Sequence, residues 1–298
     1  MSQTVTPELR AWIVAQATAG FAPDAVLRAM VEAGWTEAVA LDALEHTLSE
    51  HLAQRAPAQP VSQPPRRRAS APADGAASFA PALPQPDLRG APRLLDAGDR
   101  EVAVLASLRR PQLVVFGNLL APEECEALVA AARPRMSRSL TVETQTGGEA
   151  LNADRTSQGM FFRRGETELI ARIEARIARL LHWPVSHGEG LQVLQYRPGA
   201  EYKPHYDYFD PREPGTAKIT QRGGQRVATL VIYLNEPVRG GGTTFPDVGL
   251  EVAPQRGNAV FFAYDRPHPA TQTLHGGAPV LEGEKWVATK WLREREFT

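Results

Sequence analysis

GLQVLQYRPGAEYKPHYDYF (190–209) decides the reading of the larger part of this chain. Pro198-Gly199 is a turn signal between two runs with strand character, so the stretch reads as two strands meeting at a corner. In the second run, His205 and Asp207 stand two apart. Alternate side chains of a strand share a face, so an imidazole nitrogen and a carboxylate oxygen can converge there on one metal ion.

Downstream, RVATLVIYLN (226–235) is a strand of branched and aromatic residues, and shorter strands are expected at 243–245, 249–253, 258–263, 271–275 and 285–292. Gly240, Gly241, Gly242, Gly249 and Gly257 punctuate them. Many short strands at turn-like spacing predict a mainly β domain, a double-sheet barrel or jelly roll; periodicity alone does not exclude another all-β sandwich. Upstream, Pro111–Phe116 is a strand candidate. A helix over 122–133 starts with Pro122 and places Leu128 and Val129 on its apolar side, with Cys125 as a small buried hydrophobe. In GETELIARIEARIARLLHW (165–183), Leu169, Ile170, Ile173, Ile177, Leu180 and Leu181 recur at helical spacing, while Arg172, Arg176 and Arg179 fall largely outside that stripe. These helices are expected to buttress the β-core.

The N-terminal 56 residues read as a small helical bundle. Thr6-Pro7 opens one helix, Pro23 a second, and Thr36 caps a third carrying Ala40, Leu41, Leu44 and Leu48. Residues 57–92, with QPPRRRAS (63–70) and PALPQP (81–86), read as a Pro/Ala/Arg-rich linker. Residues 93–298 form the third part. MVEAGWTEAVALDALE (30–45) resembles the ubiquitin-associated fold, in which a Gly-aromatic turn precedes such a helix. That resemblance implies a unit that docks a protein; a plain structural appendage fits the residues as well. The net charge of -1 gives no global positive field for nucleic acid. A single cysteine fits a reducing compartment. No apolar run is long enough to span a bilayer and no secretory signal opens the chain, so a cytoplasmic protein is expected.

A metal on His205 and Asp207 needs a third ligand. His268 lies between prolines in a loop, whereas His275 ends a strand candidate before flexible glycines, which favours His275. Two histidines and a carboxylate leave three positions of an octahedral ion open, the facial arrangement of non-haem Fe(II) oxygenases; zinc hydrolysis is the chemical rival. Lys285, ten residues after His275, would face the interior if 285–292 is a strand, where a buried ammonium requires a counter-charge. Thr229 and Tyr196 could add hydroxyl hydrogen bonds. A dicarboxylate could then place one end on the metal and the other on Lys285, a need that a zinc hydrolase does not have.

RTSQGMF (155–161), LQYRPGAEYKPHYDYF (194–209), RVATLVIYLNEPVRGGGTTFPD (226–247), PQRGNAVFF (254–262) and LHGGAPVLEGEKWVATKWLRE (274–294) together resemble the prolyl 4-hydroxylase type of Fe(II)/2-oxoglutarate-dependent dioxygenase. The resemblance covers roughly 111–294. It implies a double-stranded β-helix, Fe(II) on His205, Asp207 and His275, and 2-oxoglutarate with its far carboxylate on Lys285 and hydroxyl partners at Thr229 and Tyr196. It places Tyr202 on the substrate or oxygen side, and O₂ as co-substrate; ascorbate is a further candidate cofactor. A carboxylate at 207 fills the position that halogenating relatives leave for halide, which points to hydroxylation. The implied substrate is a prolyl residue of a protein or peptide, with a free amino acid or small metabolite as the alternative in the same chemistry. A non-catalytic binding module is the alternative without chemistry. The polar, glycine-bearing stretch 210–226 is expected to be a mobile lid.

Overall fold

The chain's architecture is taken from a computed structural model, which describes residues 5–18, 23–36, 39–40, 43–44, 47, 83–138, 140–143, 148–151 and 156–298. The chain divides into two units, Met1–Ala76 and Ala77–Thr298. In the first, helices Pro7–Thr18 and Pro23–Glu32 bury Ile13, Val26 and Met30 with Ala40, Ala43 and Leu44. Most of the third expected helix, with Leu41 and Leu48, and linker residues 57–82 lie outside the described residues. Among the described residues no helix is long and apolar enough to cross a membrane.

The second unit is built on a nine-stranded sheet. Its spatial order is Leu94–Asp96, Glu101–Leu108, Gln112–Gly117, Ala259–Ala263, Arg226–Tyr233, Lys285–Arg293, Leu191–Tyr196, Gln158–Phe162 and Ser137–Arg138. A four-stranded sheet follows the order Leu250–Val252, Thr243–Phe245, His275–Gly277 and Tyr202–His205. Among the described residues, the strand pairings in both sheets are antiparallel.

Period-two alternation sorts the large sheet's side chains into two cores. Val114, Phe116, Val193, Leu230, Ile232, Phe261 and Ala288 share one core with the helices. Leu113, Leu194, Tyr233, Val260, Phe262 and Val287 share the other with Phe245 and Val252 of the small sheet. The helical core is supplied by Pro122–Ala132 and Glu168–Leu181. Glu124 reaches back to the Ala121 N–H at the start of the first, and the Thr167 hydroxyl accepts from the Ile170 N–H at the start of the second. The second ends where His182 adopts a left-handed φ of 50°. Ile170, Ile173, Ile177, Leu180 and Leu181 are buried, each contributing roughly 1.5–3 kcal/mol. Arg176 departs from the expected polar side: it is buried, because Asp99 and Glu124 both pair with it at 2.7 Å.

The expected double-stranded β-helix is corrected by this topology. The unit mixes helices with several sheets, and among the described residues no sheet closes into a barrel. Both sheets are open, with Leu94–Asp96 and Ser137–Arg138 at the edges of one and Leu250–Val252 and Tyr202–His205 at the edges of the other. Strand length and composition account for this. The small sheet's strands have three or four residues, and the outer one contains Pro204, which has no N–H to offer a further neighbour. The expected strand 271–275 is replaced by a turn at Pro269–Thr271 and a left-handed Gln272; the strand runs His275–Gly277 instead. The stretch 210–226 contains a short helix, Thr216–Gln221.

Candidate active site

The corner at Pro198-Gly199 changes sheets. Leu191–Tyr196 lies in the nine-stranded sheet and Tyr202–His205 in the four-stranded one. Tyr196 and His205 therefore line the same pocket from different sheets. His275 sits opposite His205 in the ladder, and the two rings are 4.4 Å apart. This close pairing uses Gly276, where a Cβ would lie 2.9 Å from the Tyr202 carbonyl oxygen.

Ligand atoms of His205, Asp207 and His275 all lie within 4.8 Å of one another. His205 Nε2 is 3.6 Å from Asp207 Oδ1, and His275 Nε2 is 3.4 Å from Asp207 Oδ2. Neighbouring ligands about 2.1 Å from a metal at right angles stand about 3 Å apart, so the three atoms fit around one ion with little movement. The tautomers suit this. His205 Nδ1 is 2.9 Å from the Lys203 carbonyl oxygen and His275 Nδ1 is 3.0 Å from that of Thr273. A carbonyl only accepts, so each Nδ1 carries the proton and each Nε2 presents its lone pair.

Burial opposes ionisation of Asp207, but His275, His205 and Arg226 outweigh it and hold the carboxyl far below the usual range. Burial pushes His275 down to about 4, which keeps it neutral and able to ligate near pH 7. His268, the rival third ligand, is exposed on its turn and accepts from the Ala270 N–H.

The other expected residues meet in the same pocket. Tyr196, Tyr202, Thr229 and Lys285 all line it. Tyr202 stacks on His205 with ring centroids 3.7 Å apart. Lys285 is 3% exposed, with Nζ 5.4 Å from the centre of the Tyr196 ring. No carboxylate pairs with it among the described residues; burial lowers its pKa to about 8, with Glu251 opposing from a distance. The Thr229 hydroxyl donates to Asp207 Oδ2 at 2.7 Å and lies 3.0 Å from the Tyr264 hydroxyl, so it helps to fix the Asp207 carboxylate.

Three features were not read from sequence. Arg226 lies 3.5 Å from the Asp207 carbonyl oxygen and 4.0 Å from Oδ1. Glu189 holds Arg226 and Arg293 at 2.7 Å each, all buried. Trp291 lines the pocket with an indole N–H that has no partner among the described residues. The available signal was a charged residue at the end of an apolar strand run, as at Arg226 and Arg293.

A family model described as the 2OG-Fe(II) oxygenase superfamily matches residues 191–293. Probable prolyl 4-hydroxylase 3 of Arabidopsis thaliana is 40% identical over 221 residues, covering 67% of this chain and 75% of that protein. Prolyl 4-hydroxylase 1 of the same plant is 42% identical over 203 residues, covering 62% and 70%. A solved structure of a viral collagen prolyl hydroxylase from Paramecium Bursaria Chlorella virus-1, in complex with 2OG, is 30% identical, covering 61% of this chain and 95% of that one at a TM-score of 0.46. With its metal-binding cluster and a buried cation in one pocket, and relatives of this identity and coverage, the chain belongs to the 2OG-Fe(II) oxygenases, as a relative of the plant prolyl 4-hydroxylases.

Proposed function

We propose that this enzyme hydroxylates a prolyl residue of a protein or peptide, with His205, Asp207 and His275 holding Fe(II) and Lys285 holding the far carboxylate of 2-oxoglutarate. One observation carries the assignment: a buried ammonium with no carboxylate partner among the described residues shares a pocket with three residues that can ligate one metal ion. A hydrolytic zinc site has no use for that cation. The relatives are named prolyl 4-hydroxylases, which supports the prolyl substrate.

Fe(II), 2-oxoglutarate and O₂ together supply the oxidation that places one oxygen atom in an unactivated C–H bond, leaving succinate and CO₂. The chain supplies position and dryness. Asp207 offers one carboxylate oxygen toward each histidine, while Thr229 fixes its Oδ2. Tyr264, buried and with its pKa raised by burial, stays protonated beside Thr229. Lys285 sets the direction of the co-substrate, with Tyr196 beneath its ammonium. Tyr202, stacked on His205, forms a wall toward the substrate side. Val231, Val287 and Leu194 exclude water between these polar ends.

Two lesser assignments accompany this reading. The N-terminal helical unit docks a protein, supported by Trp12 and Val31 at 37% and 42% exposure. A cytoplasmic location is supported by the single, buried Cys125.

The deciding experiment incubates the protein with prolyl peptides, Fe(II), 2-oxoglutarate and ascorbate. The expected result is succinate matched by a gain of about 16 Da on proline, lost in Asp207→Ala. Zinc-supported hydrolysis without 2-oxoglutarate, or oxygen gained only by a free amino acid, would overturn the assignment.

A further inference from the structure

The pocket of the candidate metal ligands has a neighbouring cavity, linked to it by a contact between one ring from each lining. Lys285, Val287, Thr289 and Trp291 line the first pocket along one face of one strand. Trp291 stands six residues beyond Lys285, about 20 Å of strand at ~3.3 Å per residue, and so marks the end away from the cation. There its ring meets that of Phe161 at 6.4 Å between centroids. Phe161 is 46% exposed and lines a cavity of about 420 Å³ together with Phe162, Arg163, Arg164, Arg222 and Phe297.

This cavity is basic. Among the described residues no Asp or Glu side chain lines it, and none pairs with Arg163 or Arg164. The Arg164 guanidinium donates to the Ser186 carbonyl oxygen, and that of Arg222 donates to an oxygen of Thr298, the last residue, while lying 4.0 Å over the Phe297 ring. Arg164 is thus held in place by a neutral group with its charge uncancelled. Glu166, the nearest acid to Arg163 in sequence, accepts the Arg163 backbone N–H at 2.7 Å but is paired with Arg135 at 2.6 Å. The chain as a whole carries a formal charge of -1, so this local excess is a property of the place.

We infer that the cavity at Phe161, Arg163 and Arg164 receives an acidic stretch of the substrate chain flanking the target proline. The inference rests on the prolyl-peptide reading above and adds to it a substrate class. An extended chain leaving the metal pocket past Trp291 crosses Phe161, whose exposed ring suits an apolar residue, and then meets guanidinium groups that match carboxylates in geometry and charge. Each exposed pairing is worth roughly two- to fivefold in affinity, so two should rank substrates by about tenfold.

The test uses three labelled peptides with one central proline and flanks of aspartate, serine or lysine. Binding is read by fluorescence anisotropy and oxygen gain by mass spectrometry, for the full chain and for an Arg163→Glu/Arg164→Glu variant. The expected result is tightest binding and lowest KM for the acidic flank, by about tenfold over serine, shrinking at 1 M salt and reversed in favour of the lysine flank in the variant. Equal binding of all three peptides, or an acidic preference that survives in the variant, overturns the inference. Charge-ranked binding without oxygen gain on proline would count against the prolyl reaction and leave the basic cavity standing. Oxygen gain without charge ranking would do the reverse.

Discussion

Replacing Lys285 by methionine keeps a flexible stem of similar length and removes only the charge. In the folded chain burial brings the Lys285 pKa to about 8, against 10.5 for the free side chain. At 1.36 kcal/mol per unit, keeping this ammonium protonated in its pocket costs about 3 kcal/mol. The sign follows from proton counts: between these two values the unfolded chain binds more protons, so wild-type stability rises as pH increases through about 8 toward 10.5. Lys285→Met lacks that rise. Without co-substrate at pH 7 it should be more stable by up to about 3 kcal/mol, roughly 6–12 °C in Tm for a domain of this size. Binding should move the opposite way. Removing one partner of a buried ion pair costs about 3–5 kcal/mol, so the KM for 2-oxoglutarate should rise at least 100-fold while iron retention changes little. The assays are a thermal scan at pH 7 and pH 10 and a succinate titration. A KM within threefold of wild type, with an unchanged Tm, would refute the counter-ion reasoning.

Three other perturbations probe separate parts of the unit. Thr229→Val removes the 2.7 Å hydrogen bond to Asp207 and should speed iron loss to a chelator about 10- to 100-fold, with no change if the bond is incidental. Burial opposes ionisation of Glu189, but Arg226 and Arg293 outweigh it and lower its pKa. Its stabilisation is therefore present above the ordinary carboxylate range and lost as pH falls through the lowered value; Glu189→Gln should cost about 3–5 kcal/mol at pH 7 by denaturant titration and flatten the decline in acid. Burial pushes the Cys125 thiol up to about 11, so iodoacetamide at pH 8 should label it only after unfolding; prompt labelling of the native chain would contradict its place in the helical core.

The metal cluster was legible because strand geometry makes a spacing of two meaningful: His205 and Asp207 needed no distant information to be placed together. His275 was separable from His268 because prolines on both sides mark a loop, and the structure leaves His268 exposed. Sheet closure was not legible. It depends on whether edge strands find hydrogen-bonding partners, and the spacing of glycines and branched residues is the same for open and closed sheets. Arg176 misled for a related reason. A helical stripe is judged by polarity, yet an arginine can enter the core once Asp99 and Glu124 approach from elsewhere in the chain. Glu189 was invisible in the same way, since its partners Arg226 and Arg293 come from strands 37 and 104 residues away.

Charge in the pocket leads to the last prediction. Asp207 and Lys285 contribute one negative and one positive charge to the pocket wall, and the neighbouring Arg226 is already held by Glu189. Fe(II) added alone would leave two positive charges in a largely buried space, and 2-oxoglutarate added alone two negative ones. Together they cancel. At an effective dielectric constant near 20, two unit charges 4 Å apart interact by about 4 kcal/mol, so even a fraction of that coupling exceeds the 1.4 kcal/mol of a tenfold effect. Each should therefore tighten the other by at least tenfold, and linkage makes the two factors equal. Equilibrium titrations of iron with and without 2-oxoglutarate, and of 2-oxoglutarate with and without iron, measure both sides. In Lys285→Met the co-substrate's far charge loses its partner, so the pair no longer sums to neutrality and the mutual factor should change. Independent binding of the two in the wild-type chain would mean that they do not share this pocket, whatever the spacing of His205, Asp207 and His275.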